Sequence, residues 1–406
     1  MNVNEMDQND PLAFAKDRFD IPEGVIYLDG NSLGVLPKST KARIDDVITR
    51  EWGTDLIRSW NTNHWMELPA RVGDAIAELI GADKGEVVAT DSTSVNLFKM
   101  AGAALKMNKG RHVLLSETGN FPTDLYIMQG LAELIDGVEC RAVETNQLMD
   151  ALDEDVAALV LTHVNFRSGR MHDMQALCAA AQAKGILTVW DLSHSAGAVD
   201  VNLNATGADF AVGCGYKYLN GGPGAPGFLF VAKRHQSTAR PPLSGWMGHA
   251  APFEFSDDYE AASGIARHMC GTPPVLGLAS LEEGLKTFKG VAISDVRKKS
   301  LALCDLFKDQ VLTRLDGFGF TLVSPEGGVF RGSQVSLAHD EAYPIVQALI
   351  ARGVIGDFRA PNIARFGFTP LYLSYADVMK AVDILAEIMQ EQAWKSPAFQ
   401  ARAKVT

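Results

Sequence analysis

Six short apolar runs, spaced along the middle of the chain, constrain the fold more than any other feature. They are "EVVAT" (86–90), "HVLLS" (112–116), "AALVLTHV" (157–164), "ILTVW" (186–190), "DFAVGC" (209–214) and "GFLFVA" (227–232). Each is strand-length, rich in β-branched and aromatic residues, and apolar almost throughout. Strands buried on both faces read this way, and such strands are mostly parallel. Helix-like stretches lie between them, among them "NLFKMAGAALK" (96–106) and "DMQALCAAAQAKG" (173–185), the second closed by Gly185. The alternation predicts an α/β fold, a mostly parallel sheet with helices on both faces. Ligands of such sheets sit beyond the carboxyl ends of the strands.

From about residue 274 the pattern changes to long amphipathic helices, "VLGLASLEEGLKTFK" and "DVRKKSLALCDLFKDQVLTRL". Two strand-like pieces follow, "GFTLVS" and "SQVSLA", and then the helical "ADVMKAVDILAEIMQEQAW". The expected organisation is an N-terminal segment (1–45), a large α/β domain (46–273) and a smaller α+β domain (274–406). A chain of 406 residues is long enough for two cores. No internal repeat or low-complexity tract interrupts it.

A formal net charge of −12 and the lack of a basic stripe argue against a nucleic-acid partner, because phosphate contacts need clustered Lys and Arg. No apolar run approaches membrane-spanning length. The start, "MNVNEMDQNDPLAF", has no basic and apolar leader pattern. Five scattered cysteines without a CxxC pair read as reduced thiols, so a cytoplasmic protein is expected.

The stretch "GCGYKYLNGGPGAPG" (213–227) holds one lysine, Lys217, among small and apolar residues. Its Gly222, Gly224 and Gly227 satisfy G-x-G-x-x-G, but two prolines intervene and a strand, not a helix, follows, so a nicotinamide or flavin site is not expected. Lys217 follows the run "DFAVGC", and Asp191 follows "ILTVW" with His194 three residues on. If neighbouring strands deliver the amine and the carboxylate to one cleft, the pair suits pyridoxal phosphate. The lysine would form the Schiff base, and the acid would keep the pyridine nitrogen protonated. Taken alone, Asp191 is equally a turn former.

Thr93 and Ser94 stand at a helix start after "EVVAT", where hydroxyls and free N–H groups bind anions, although both are also ordinary capping residues. Phe121 and Asp124 follow "HVLLS"; the ring could stack on a flat cofactor or simply pack. The Tyr216 phenol could bond phosphate and carry a proton. His112, His163, His172, His235 and His339 lack metal-ligand spacing and read as structural.

Seven ordered stretches carry a resemblance over essentially the whole chain. They are "YLDGNSLG" (27–34), "NFPTD" (120–124), "DLSHSAG" (191–197), "YKYLNGGPG" (216–224), "SGWMGH" (244–249), "GTPP" (271–274) and "RFGFTPLY" (365–372). With them the sequence resembles the fold-type-I pyridoxal-phosphate enzymes and, within these, the kynureninase family. The resemblance implies a seven-stranded, mostly parallel sheet in the large domain. It makes Lys217 the Schiff-base residue, Asp191 the partner of the pyridinium nitrogen and Phe121 the stacking ring. Thr93, Ser94, Asp124, Thr162, His194 and Tyr216 would complete the cofactor shell. Trp246 and Thr272 would reach the phosphate from the second subunit of a homodimer. Arg365 would grip the substrate α-carboxylate in a bidentate manner, near Asn31 and Ser32, with Trp60 and His64 at the substrate's aromatic ring. The implied reaction is hydrolysis of L-kynurenine to anthranilate and L-alanine, within tryptophan degradation, with Lys217 as α-proton base and Tyr216 as a proton donor.

Other enzymes share this scaffold. Cysteine desulfurases of the fold stack a histidine on the ring and carry a catalytic cysteine in the last third of the chain. Here the stacking position is Phe121, and no cysteine follows Cys304. A class V aminotransferase stays open from sequence. A non-catalytic binding scaffold would have no use for Lys217, Asp191 and Arg365 together.

Overall fold

The computed structural model describes residues 2–402. A seven-stranded sheet is formed by β1 (Val87–Ala89), β2 (Val113–Glu117), β3 (Glu139–Val143), β4 (Val156–Thr162), β5 (Leu187–Asp191), β6 (Phe210–Cys214) and β7 (Gly227–Val231). Their order is β1-β7-β6-β5-β4-β2-β3. Only β7 runs against the others, pairing antiparallel with β1 and β6. All six apolar runs form strands of this sheet.

Alternate residues of each strand feed two cores, as period-2 geometry requires. Val160, Leu229 and Val231 pack with Leu97, Met100, Ala101, Met128 and Leu131 of the helices α2 (Thr93–Met107) and α3 (Pro122–Leu134). Leu159, Leu161, Phe228 and Phe230 face the opposite way, toward Val72 and Ile76 of α1 (Leu68–Leu79) and Leu177, Cys178 and Ala181 of α4 (Met174–Ala183). Phe230 has no exposed surface, and truncating such a ring to alanine typically costs about 3–5 kcal/mol.

Beyond the large sheet come α5 (Val275–Lys286), α6 (Ile293–Arg314) and α8 (Tyr375–Glu391), where the amphipathic patterns lie, and α7 (Ala342–Ala351) between them. A four-stranded antiparallel sheet contains β8 (Thr321–Leu322), β9 (Gln334–Ala338), β10 (Asp357–Arg359) and β11 (Ile363–Gly367), ordered β10-β11-β9-β8. The N-terminal Ile26–Tyr27 pairs in parallel with Val354–Ile355, and the Gly367 N–H donates to the Leu28 carbonyl at 2.7 Å. The first segment of the chain is thereby anchored beside β11.

Sequence reading did not anticipate β3, α7, β10 or β11. The β3 residues are mostly exposed or half-buried, so no continuous apolar run announces them. β10 is only three residues long and begins with the buried charge Asp357. Among the described residues no helix is long and apolar enough to cross a membrane.

Candidate active site

The carboxyl ends of β4, β5 and β6 and the start of α2 surround a cavity of about 290 Å³. Ser92, Thr93, Ser94, Phe121, Thr123, Asp124, Thr162, Phe166, Asp191, Ser193, His194, Tyr216 and Lys217 line it. Nine residues expected at the cofactor, from Thr93 to Lys217, are therefore gathered in one place. Register explains part of this: Thr162 lies opposite Asp191 on neighbouring parallel strands, and both close their strands.

Lys217 Nζ lies 3.0 Å from His194 Nε2, and 5.9 and 5.7 Å from the Phe121 and Tyr216 ring centroids. Asp191 is buried, and its Oδ1 accepts from the Ser193 N–H at 2.8 Å and the Ser193 hydroxyl at 2.6 Å. Asp124 Oδ2 accepts from Thr162 Oγ1 at 2.9 Å. Burial pushes both carboxyl pKa values up; for Asp124 the Asp191 charge adds to the rise, while for Asp191 the Ser193 bonds and the Lys217 charge oppose it. Burial, then the Lys217 charge, pushes His194 well below the usual histidine range, so its ring is neutral. Burial pushes the Tyr216 phenol up, which keeps it protonated at neutral pH.

The capping residue of α2 is Ser92, whose Oγ accepts from the Val95 N–H at 3.3 Å; Thr93 opens the helix. This shifts the cap two residues before Ser94 and leaves the N–H groups of Thr93 and Ser94 without intrahelical acceptors. Gly227 makes the approach possible, since a Cβ there would lie 2.9 Å from the Thr93 nitrogen. On the other side, Gly34 of "GNSLG" packs on the lysine turn, where a Cβ would come within 2.4 Å of the Lys217 carbonyl oxygen.

Arg365 does not line the cavity. It is 1% exposed and opposes Asp357 in the β10–β11 register. Its Nε donates to Asp357 Oδ1 at 2.8 Å and its Nη2 to Asp357 Oδ2 at 2.5 Å and Ser32 Oγ at 2.8 Å. Nη1 donates to the Phe166 carbonyl at 2.7 Å. These four bonds use four of the five N–H groups of a guanidinium. The bidentate partner of Arg365 is therefore Asp357, and the arginine is not an open fork. Asn31 is buried beside it, and its amide, turned to suit both neighbours, accepts from Arg365 Nε at 3.1 Å and donates to Asp29 at 3.2 Å. Phe166 links this cluster to the cavity: its ring meets Phe121 edge-on at 5.3 Å.

Trp60, His64, Trp246 and Thr272 do not line the cavity either. His64 and Thr272 are exposed, and Trp246 is 39% exposed against a Phe253 that is 62% exposed. Trp60 packs edge-on with Trp65 at 5.6 Å. Trp65 Nε1 in turn donates to Glu51, a buried carboxylate in the π-helical segment Val47–Asp55. Sequence reading passed over Ser92, Phe166, Asp357 and Arg359; the last two needed β10 to be seen. His163 Nδ1 lies 2.9 Å from Ser195 Oγ and His172 Nε2 lies 2.9 Å from Glu117 Oε1, and among the described residues no group of three or more His, Cys, Asp or Glu could hold a metal ion.

The residues around the cavity fit pyridoxal phosphate. His194 Nδ1 is buried without a partner, the Lys217 amine stands beside an aromatic face, a buried carboxylate lies one strand away, and free helix N–H groups close one end.

Comparison with known proteins agrees. Residues 296–385 match the family model described as the kynureninase C-terminal domain. The chain is 51% identical over 408 residues to a kynureninase of Burkholderia pseudomallei, and 50% identical over 407 residues to one of Pseudomonas fluorescens. Each alignment covers 99% of this chain and 98% of the relative. Among solved structures, an apo cysteine desulfurase of Thermococcus onnurineus superposes with a TM-score of 0.76 at 20% identity, covering 96% of this chain and 99% of that one. A C-DES mutant with glycine linked to its PLP cofactor gives 0.78 at 17%, covering 92% and 99%. Those two likenesses concern the fold, a fold-type-I scaffold; the full-length sequence identity goes further, and by it the chain belongs to the kynureninase family.

Proposed function

We propose that this chain is a pyridoxal-phosphate-dependent hydrolase that cleaves the Cβ–Cγ bond of L-kynurenine, giving anthranilate and L-alanine. One observation carries the assignment of the site: Lys217, Asp191 and Phe121 converge on a single cavity at the start of α2. When bound, pyridoxal phosphate supplies an electron sink for charge developing on the substrate carbons.

The chain's own residues would divide the remaining work. Lys217 Nζ would hold the cofactor covalently and, once replaced by the substrate amine, take the α-proton. Asp191 would face the pyridine nitrogen and Phe121 the ring. The N–H groups of Thr93 and Ser94 would receive the phosphate; Asp124, Thr162 and His194 fill the rest of the shell. Tyr216, protonated and next to Lys217, would donate to the β-carbon. Arg365 would meet the α-carboxylate with its remaining N–H, beside Ser32 and Asn31.

Trp246 and Thr272 would act in the site of a second copy, which fits their exposure here and makes the working unit a homodimer, and Trp60 and His64 would meet the substrate's aromatic ring. The exposed Phe253 and Phe255 next to Trp246 fit burial against such a copy. The division would run 1–45, 46–273 and 274–406; the seven-stranded sheet falling in the second span and the four-stranded sheet in the third support it, and the five free thiols would suit a cytoplasmic protein.

The test is direct. Cofactor-loaded protein supplied with L-kynurenine should release anthranilate, followed by its fluorescence. Lys217→Ala should abolish both release and the borohydride-fixed cofactor adduct. Absence of anthranilate from loaded wild-type protein would sink the substrate assignment.

A further inference from the structure

Arg365 has spent most of its donors, which raises the question of what else could hold an α-carboxylate. Arg359 lies on the same strand as Asp357, two residues on, so both side chains leave β10 on the same face. That face is the one Arg365 opposes. Arg359 Nη2 donates to Asp357 Oδ2 at 2.6 Å and to Ser32 Oγ at 3.3 Å. Its Nε is buried without any acceptor. Two of its five N–H groups are thus engaged, against four for Arg365.

The side chain is 39% exposed, whereas Arg365 is sealed, so a ligand has access to it. Its charge reaches the Tyr216 phenol and the His194 imidazole on the cavity wall. An orphaned buried guanidinium N–H is costly unless something pairs with it. The partner that fits is an anion such as a carboxylate, beside Ser32 Oγ, which already bridges the two arginines.

We propose that Arg359 is a substrate-binding residue, a second guanidinium that shares the α-carboxylate with Arg365 while Asp357 holds both arginines in place. This deepens the kynurenine-cleaving reading and rests on it. Arg365 in this arrangement is the fixed member of the pair, with one N–H left for the ligand. Arg359 supplies the open donors, and with them the preference for substrates that carry a carboxylate.

The experiment compares two ligands on the holoenzyme by cofactor absorbance: L-alanine, which has the carboxylate, and 2-aminoacetophenone, which carries the aromatic half without it. Arg359→Gln should weaken L-alanine binding roughly tenfold to a hundredfold, the loss of one or two charge-assisted bonds, and leave 2-aminoacetophenone unchanged. KM for L-kynurenine should rise in parallel, with a smaller change in kcat. Arg359→Lys keeps the charge without the fork; it should fall between the two and carries the comparison if the glutamine variant does not fold. Unchanged L-alanine binding in both variants, or equal loss of both ligands, would overturn the proposal. If wild-type holoenzyme binds L-alanine yet releases no anthranilate from L-kynurenine, the reaction assignment fails separately.

Discussion

Lys99 Nζ lies 2.7 Å from Asp91 Oδ2 and 2.6 Å from the His268 carbonyl oxygen, and the lysine has no exposed surface. Asp91 sits just before Ser92 with φ of 47°, a left-handed conformation that costs a non-glycine residue. The lysine therefore ties the strained lead-in of α2, where the phosphate would bind, to the segment preceding Thr272. Lys99→Met leaves a partly buried carboxylate without its cation, and breaking such a pair typically costs about 3–5 kcal/mol. Urea unfolding of the apoprotein should show a loss of that size. Asp91→Gly relieves the strain but leaves the fully buried Lys99 ammonium with the His268 carbonyl oxygen in place of a counter-charge, so it too should lose stability.

His268 is a fully buried imidazole with neither ring nitrogen bonded. Burial, then the Lys99 charge, pushes its pKa down from 6.5 to about 3. With a folded pKa below the unfolded one, its contribution is present above pH 6.5 and is lost as pH falls toward 3, at about 1.4 kcal/mol per pH unit. His268→Leu removes both the orphaned nitrogens and this titration. The variant should be at least as stable as wild type at pH 7, and its melting temperature should fall less steeply between pH 6 and 4. An equal slope for the two proteins would show that His268 is not a source of acid lability.

The large sheet was legible because its strands are buried on both faces, and burial writes itself as unbroken apolar runs. β3 escaped for the opposite reason, lying at the sheet edge with exposed side chains. The convergence of Asp191, Thr162 and Lys217 on one cavity was legible too, since they stand at or just beyond strand ends, where such folds bind ligands. The carboxylate cluster was only half visible. Arg365 stands out within a motif, but Asp357 and Arg359 belong to a three-residue strand whose pairing with β11 no local pattern reveals. Trp60, His64, Trp246 and Thr272 lie away from the cavity of their own chain, and no feature of one sequence says which copy's site a side chain serves.

Asp191 should show opposite effects on fold and cofactor. Burial raises its pKa in the apoprotein, so the charged form is penalised, and stability is lost as pH rises through the folded pKa. Asp191→Asn keeps an acceptor for the Ser193 N–H and hydroxyl while removing that charge. The apo variant should melt at or above wild type, with the gap widening as pH rises. The same variant should bind the cofactor more weakly, because nothing would balance the protonated ring nitrogen. Equilibrium dialysis with pyridoxal phosphate measures the second effect and calorimetry the first. A variant equal to wild type in dialysis would remove Asp191 from the cofactor.

The proton-donating role proposed for Tyr216 can be told apart from a structural one. The residue is 37% exposed, so removing its hydroxyl opens no core cavity, and its ring centre lies 5.7 Å from Lys217 Nζ. Burial raises its pKa, so the phenol holds its proton throughout the neutral range and can deliver it where a carbanion forms. Tyr216→Phe should therefore leave the unfolding free energy of the apoprotein within about 0.5 kcal/mol of wild type, as expected for a surface substitution. Loss of a general acid should lower kcat for anthranilate release by about 10²–10⁴-fold. With removal of the α-proton assigned to Lys217, as proposed above, exchange of the L-alanine α-hydrogen with deuterated solvent, followed by NMR, should persist in the variant. If that exchange disappears together with anthranilate release, Tyr216 acts before the β-carbon is protonated, and the division of labour between the two neighbouring residues is wrong.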